Sequence, residues 1–319
     1  MRARRKALII GIDDYPHQKL TNCVSDAVRI AELLSRNGDG SPNFEVRTLL
    51  SSKQVVTRNI LKKSINSLFD GDPDIALFYF AGHGYLDGGG GSLVSQDVTA
   101  SDIGIDFSYL QSCANNSRAR NRILIVDCCH SGDLNFSGTE IGTGSSAVVP
   151  EGTTVLTSCR REEASIEHDG GVFSSLLIDA LSGQCTDVTG NILASSIYAY
   201  VDRALGEYNQ RPTFRTNVSE FVSLRQVDPL VDINLLRKLT SYFPEMMAEY
   251  RLDPTYEHSD PSAVQDHVVL LKELQKLVGV GLVEPVNEEH MYYAAMNHGS
   301  CRLTTLGHQY WKLSKTNKL

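Results

Sequence analysis

Two apolar runs leave this chain few folds to choose from. The first, Asp74-Ile75-Ala76-Leu77-Phe78-Tyr79-Phe80, empties into Ala81-Gly82-His83-Gly84. The second, Asn121-Arg122-Ile123-Leu124-Ile125-Val126, empties into Asp127-Cys128-Cys129-His130-Ser131-Gly132. Apolar runs without polar alternation, each stopped by glycine and polar residues, read as strands buried on both faces, which is the mark of a parallel sheet covered by helices. In such a sheet reactive groups gather at the carboxyl ends of the strands, where loops carry them on a rigid base. A thiol at one strand tip and an imidazole at another, about 45 residues apart, are the order expected of a Cys/His hydrolase. His83 is then the group that accepts the thiol proton or stabilises a thiolate. Gly84, having no side chain, can turn its amide to a scissile carbonyl and hold the developing oxyanion together with the amide of the nucleophile.

The remaining pattern fits the same class. Lys6 to Ile12 reads as a strand and Asn22 to Asn37 as a helix with an apolar stripe that stops at Gly38. Phe44 to Leu50 reads as a strand and Val55 to Phe69 as a helix. This βαβαβ alternation predicts a mainly parallel sheet with helices on both faces. Leu86 to Gly91 reads as a glycine-rich loop; it lacks the Lys-Ser/Thr ending of a phosphate-binding loop. Ser131 to Gly152, rich in Gly, Ser and Thr, reads as a long loop before a strand at Thr153 to Ser158. Helices are expected at Val172 to Leu181 and Ile192 to Leu205, and the last strands within Arg211 to Leu224.

A composition shift near Asp228-Pro229 divides the chain into a domain over 1–227 and a smaller one over 228–319. Helices at about 232–243 and 261–278, a strand-like Leu282 to Val286, a Tyr292-Tyr293 segment, Arg302 to Thr305 and a closing helix suggest a small α+β unit of winged-helix type. DNA binding needs a concentrated positive footprint. Residues 260–319 carry six Lys/Arg against six Asp/Glu, so a protein-interaction or ligand-sensing role is the expectation there. Tyr292, Tyr293, Tyr310 and Trp311 suit an interface or, by default, the core.

The net charge of −8 argues against nucleic acid or an anionic membrane as the main partner. No apolar run approaches a membrane span, and MRARRKALIIGIDDY reads as a basic lead into a strand and not as a signal peptide. Seven scattered cysteines show neither disulfide nor zinc spacing, so a reducing cytoplasm is expected. No cofactor is called for; Asp and Glu at 87, 97, 162 and 163 leave calcium activation open without fixing a metal site.

FYFAGHG followed by ILIVDCCHSG resembles the caspase and metacaspase family of cysteine peptidases (peptidase C14), with the metacaspase or prokaryotic caspase-like branch the nearer match. KALIIGIDDY, TNCVSDA, TRNILKKSINSLF and TVLTSCRREEAS follow in the family's order, so the likeness covers roughly residues 5–225. It implies a caspase-like, mainly parallel six-stranded sheet and a thiol endopeptidase. Registration on Asp-x-Cys-His-Ser-Gly implies that Cys129 is the nucleophile and Cys128 a packed neighbour. It also implies that Asp26 and Asp127 line the pocket for the residue before the scissile bond, bordered by Cys23, Ser158 and Cys159. Two carboxylates select a cation, and a guanidinium bonds both, so cleavage after Arg or Lys is expected. The plainer reading of Asp26 is a first-turn carboxylate favoured by the helix dipole.

The segment corresponding to 131–152 is cut or rearranged when family members are activated. Here no Lys or Arg occurs from Ile123 to Cys159, so activation is expected without self-cleavage there, through a partner, ion or ligand, in a regulated cell-death or defence response. The competing reading is a catalytically silent scaffold of the same fold that signals through its C-terminal domain.

Overall fold

The computed structural model describes residues 4–87, 90–99, 102–128, 149–158, 171–205 and 212–319. The described chain divides into two compact units, 1–186 with 191–227, and 187–190 with 228–319.

The first unit opens with β1 (Arg5–Gly11), α1 (Cys23–Ser35), β2 (Glu45–Leu50), α2 (Arg58–Phe69) and β3 (Ile75–Ala81). A three-stranded antiparallel sheet follows, made of β4 (Gly84–Asp87), β5 (Gly90–Thr99) and β6 (Asp102–Asp106). Next come α3 (Phe107–Asn115), β7 (Asn121–Asp127), β8 (Thr153–Thr157), α4 (Val172–Asp179) with a π-helical extension over Ala180–Gln184, β9 (Asn191–Leu193), α5 (Ala194–Leu205), β10 (Thr213–Asn217) and β11 (Ser223–Gln226). Among the described residues the central sheet has six strands in the order β10-β8-β7-β3-β1-β2. All neighbours run parallel except β10 against β8.

Every residue of β3 is buried, as a central parallel strand requires, because both of its faces are covered. Alternation along the strands sorts side chains into two layers. Phe78, Phe80, Leu124 and Val126 meet Leu61 and Ile65 of α2 and Leu110 of α3 on one face. Leu77, Tyr79, Ile123 and Ile125 meet Ile30 and Leu34 of α1, Phe173 of α4 and Ile197 of α5 on the other. Helix α1 starts at Asn22 with φ 74° and no side-chain cap of its own. Its first amides are satisfied from a distance: the Asp13 carboxylate accepts from Cys23 N–H at 2.9 Å and from Val24 N–H at 3.2 Å, which fixes the helix start against the end of β1.

The structure corrects the sequence expectation at the glycine-rich stretch. Leu86 to Gly91 is not simply a loop: Gly84–Asp87 pairs antiparallel with Gly90–Leu93, and the hairpin continues into β6. The sequence pattern also gave no notice of α3. Asp97, one of the acids considered for calcium, accepts the Arg58 N–H at 2.8 Å at the start of α2. Among the described residues no group of three His, Cys, Asp or Glu side chains is placed to hold a metal.

The second unit contains α6 (Ile233–Arg237), α7 (Leu239–Tyr242), β12 (Glu249–Arg251), α8 (Gln265–Gly279), β13 (Val283–Pro285), α9 (Met291–Met296), β14 (Ser300–Leu303) and α10 (Thr305–Lys315). Its three strands form an antiparallel sheet with β14 in the middle. Leu236, Phe243, Leu274, Leu277, Leu282 and Ala294 are fully buried in its core. The four aromatics divide. Tyr310 and Trp311 pack on that core, with the indole N–H donating to Phe243 O at 2.7 Å, whereas Tyr292 and Tyr293 are exposed.

Candidate active site

The carboxyl ends of β3 and β7 are adjacent and in step. Phe80 pairs with Val126 and Ala81 with Asp127, and Gly82 N–H donates to Asp127 O at 3.3 Å. His83 follows Ala81 by two residues, and Cys129 follows Asp127 by the same two. Cys129, His130, the 131–148 part of the long segment and Cys159 lie outside the described residues. Cys128 is 3% exposed and belongs to the apolar cluster on the α2–α3 face.

His83 is anchored by groups that the sequence reading did not single out. Its backbone N–H donates to the Tyr15 hydroxyl at 3.0 Å, and that hydroxyl donates to Val94 O at 3.2 Å. Val94 N–H returns a bond to His83 O at 3.0 Å. The phenol is therefore inserted into the rung that would otherwise close directly between His83 and Val94. Tyr15 is buried, and burial raises its pKa well above the usual value, so the phenol stays a neutral donor. Its ring lies 4.6 Å from the imidazole, tilted by 51°. The close approach depends on Gly82, where a Cβ would stand 2.5 Å from the Tyr15 oxygen.

The imidazole Nε2 lies 2.8 Å from Gln18 O. A carbonyl oxygen only accepts, so Nε2 carries the proton in the neutral ring and Nδ1 is the nitrogen with a free lone pair. Antiparallel rungs alternate between bonded and non-bonded pairs. With His83 and Val94 forming a bonded pair, the next pair, Gly84 and Leu93, is non-bonded, and the Gly84 N–H turns away from β5.

At the same end of the sheet the acids gather where the end of β7 meets α1 and α4. Asp127 shares its face with Tyr79 and Ile125 by strand alternation, and it accepts from the Ser174 hydroxyl of α4 at 2.5 Å. Ser158, fully buried just past β8, donates to Cys128 O at 3.4 Å, and its hydroxyl lies close enough to Asp127 to lower that carboxyl's pKa. Burial raises the Asp127 pKa against the lowering by these two hydroxyls. Asp26 stands half-buried in the first turn of α1. Burial, then Asp127, then Asp13 push its pKa up from 3.8 to about 6. The Cys23 thiol is driven well above its ordinary range by burial, then by Asp13, Asp127 and Asp26, so it is held protonated. Of the residues expected to border the substrate pocket, Cys23, Asp26 and Asp127 thus come together electrostatically, with Ser158 close to the last of them. Burial lifts both carboxylates, and Asp127 adds to the shift of Asp26.

A family model for the peptidase C14 caspase domain matches residues 4–222. The chain belongs to the caspase-domain family. The fold agrees. Protein GSU0716 from Geobacter sulfurreducens superposes with a TM-score of 0.52 at 16% identity, over 71% of this chain and 98% of the other. Caspase-1 from Spodoptera frugiperda superposes with a TM-score of 0.52 at 13% identity, over 70% of this chain and 93% of the other. No curated protein matches the sequence.

Of the residues the sequence reading missed, Tyr15 carried a weak signal in the Asp13-Asp14-Tyr15-Pro16 turn, where an aromatic beside a strand end invites packing. Gln18 acts through its carbonyl, which no side-chain motif reports. Gly171 and Ser174 lie 44 and 47 residues beyond Asp127, and only the packing of α4 brings them to it.

Proposed function

We propose that this caspase-domain protein is a cysteine endopeptidase of the metacaspase-like kind that cleaves proteins after Arg or Lys, with Cys129 attacking and His83 as its base. The observation that carries the reading is the anchored His83, with Nε2 committed to Gln18 O at a strand tip in register with the one that leads to Cys129. In this scheme Nδ1 accepts the thiol proton as Sγ attacks the scissile carbonyl, and the Gly84 and Cys129 amides stabilise the oxyanion. The protonated imidazole then delivers its proton to the leaving amine. Water hydrolyses the acyl-enzyme, with His83 as base again. Asp26 and Asp127 hold the cation that precedes the broken bond.

The C-terminal unit, of winged-helix type in this reading, regulates the peptidase through a partner protein or small signalling ligand. A partner, ion or ligand orders the site of a cytoplasmic enzyme that acts in cell death or defence. The absence of Lys and Arg from Ile123 to Cys159 supports activation without self-cleavage in that segment.

Profiling a peptide library with and without cell extract tests this. Cleavage is expected only after Arg or Lys, and the 35.1 kDa chain is expected to persist as one band through prolonged active incubation. Cleavage after acidic or apolar residues, or efficient cutting within 131–152, would contradict it.

A further inference from the structure

Helix α4 reaches the acidic recess with two residues that the peptidase scheme leaves without a task. Ser174 is fully buried. Its hydroxyl lies 2.5 Å from Asp127 Oδ2 and 2.6 Å from the hydroxyl of Tyr79, itself fully buried. A serine has one proton to donate. With that proton given to the carboxylate, the Tyr79 O–H must donate to Ser174, and the chain of bonds is directed: Tyr79 to Ser174 to Asp127. Tyr79 is locked in the core of β3, Ser174 is locked by Tyr79, and Asp127 Oδ2 is thereby committed to one position, at the edge of the gap that separates it from Asp26. One turn of α4 earlier, Gly171 borders the space between the two acids and, lacking a side chain, leaves it clear. A Cβ there would stand 2.9 Å from Asp127 Oδ2 and 3.8 Å from Asp26 Oδ2. Gly171 has φ −61° and ψ 101°, a conformation open to any residue, so its glycine is required by space and not by backbone strain.

We propose that α4 determines cation specificity: Ser174, held by Tyr79, is a positioning residue that orients Asp127, and Gly171 keeps open the volume that a guanidinium fills. This rests on the reading of Asp26 and Asp127 as the substrate-cation site. A guanidinium is broad and planar and bonds carboxylates in pairs, whereas an ammonium is compact. The methyl of Gly171→Ala therefore obstructs arginine more than lysine. Loss of the Ser174 hydroxyl removes a bond to the charged form of Asp127, which lets the carboxylate rotate and raises its pKa.

The test combines kinetics on arginyl and lysyl peptides with a carboxyl ¹³C NMR titration of the full chain, the Asp127 signal being assigned from Asp127→Asn. Ser174→Ala is expected to raise KM for the arginyl peptide roughly tenfold, as loss of a charge-assisted hydrogen bond does, with kcat little changed. Tyr79→Phe is expected to act in the same direction and more weakly. Gly171→Ala is expected to lower the Arg-to-Lys ratio of kcat/KM roughly tenfold. The Asp127 midpoint is expected to rise in Ser174→Ala. A merely structural Ser174 would lower apparent kcat through lost folded enzyme, would leave KM unchanged and would leave the Asp127 midpoint in place. That outcome, or an unchanged Arg-to-Lys ratio in Gly171→Ala, overturns the proposal while the acidic site stands. If wild type shows no preference for basic residues, the cation-site reading fails, and with it the specificity role of α4, whereas the NMR midpoint still reports whether the relay exists.

Discussion

Replacing His83 by alanine is expected to lower kcat for an arginyl peptide by roughly 10³-fold, within the range that a positioned general base supplies, while KM changes little. The expectation follows from where the imidazole is fixed and not from the presence of a histidine alone. Tyr15 holds the His83 backbone through its hydroxyl and covers the ring face, and Gln18 O takes the Nε2 proton. In the proposed scheme the substrate's cation is bound by Asp26 and Asp127 and not by the imidazole, so removal of the imidazole is expected to leave binding in place. His130, adjacent to Cys129 in sequence, is the natural competitor as base. His130→Ala is expected to retain most of the activity, and stopped-assay measurement of both variants separates the two. Equal losses in the two variants would show that the base has been misassigned.

Asp26→Asn is expected to make the protein more stable and nearly inactive on basic substrates. The Asp26 pKa is raised from 3.8 to about 6 by burial, Asp127 and Asp13. Between those values the folded state binds more protons than the unfolded state, so stability falls as pH climbs from about 4 to about 6, and the full cost is present above about 6. An upward shift of this size corresponds to ~3 kcal/mol at 1.36 kcal/mol per unit. Partial exposure and salt screening reduce it to about 1 kcal/mol. Asparagine removes the charge, so at pH 7.5 the variant is expected to unfold at a higher urea concentration than wild type, with the gain vanishing near pH 4. Catalysis moves the other way. A guanidinium needs the carboxylates ionised, so kcat/KM of wild type for arginyl peptides is expected to fall as pH drops through about 6, following the free-enzyme titration. Because Asp26 and Asp127 influence each other, the acid limb belongs to the pair and not to either residue. In Asp26→Asn activity on arginyl peptides is expected to fall by roughly 10²-fold or more, the loss that follows when one of two charged partners is removed. A variant less stable than wild type at pH 7.5 would show that Asp26 is a favourable helix-start charge and nothing more.

Sequence reasoning reached the frame of this molecule because the frame rests on local patterns. The unbroken apolar run at Ile75 to Phe80 reads as a doubly covered strand, and its six residues, with Ala81, are all buried. Helices α1 and α2 carry apolar stripes that match their buried faces. The hairpin pairing Gly84–Asp87 with Gly90–Leu93 escapes a reading of Leu86 to Gly91 as a loop for the opposite reason. Its glycines carry no side chains to display a strand's alternation, and its pairing is made by backbone bonds alone. Helix α3 begins inside a stretch whose only strong apolar anchors, Phe107 and Leu110, are too few to set a period. Asp127 and His83 stand out in the sequence because motif and strand end coincide there, and Asp26 because it opens α1 within a family-like stretch. Tyr79, Gly171 and Ser174 do not, because they reach Asp127 only through the register of β3 on β7 and the docking of α4. A side chain that meets its partner across two elements leaves no spacing to read.

In the proposed mechanism the thiol of Cys129 and the imidazole of His83 work on a substrate held by its cation. Mass spectrometry of the intact chain after exposure to an arginyl electrophile tests it most directly. One adduct per chain is expected on Cys129, formed quickly in the activated wild type, slowly in His83→Ala and in Asp26→Asn, and not formed with an aspartyl electrophile of the same reactivity. Labelling spread over other cysteines at the same rate, or a wild type whose Cys129 reacts no faster than that of His83→Ala, would contradict it.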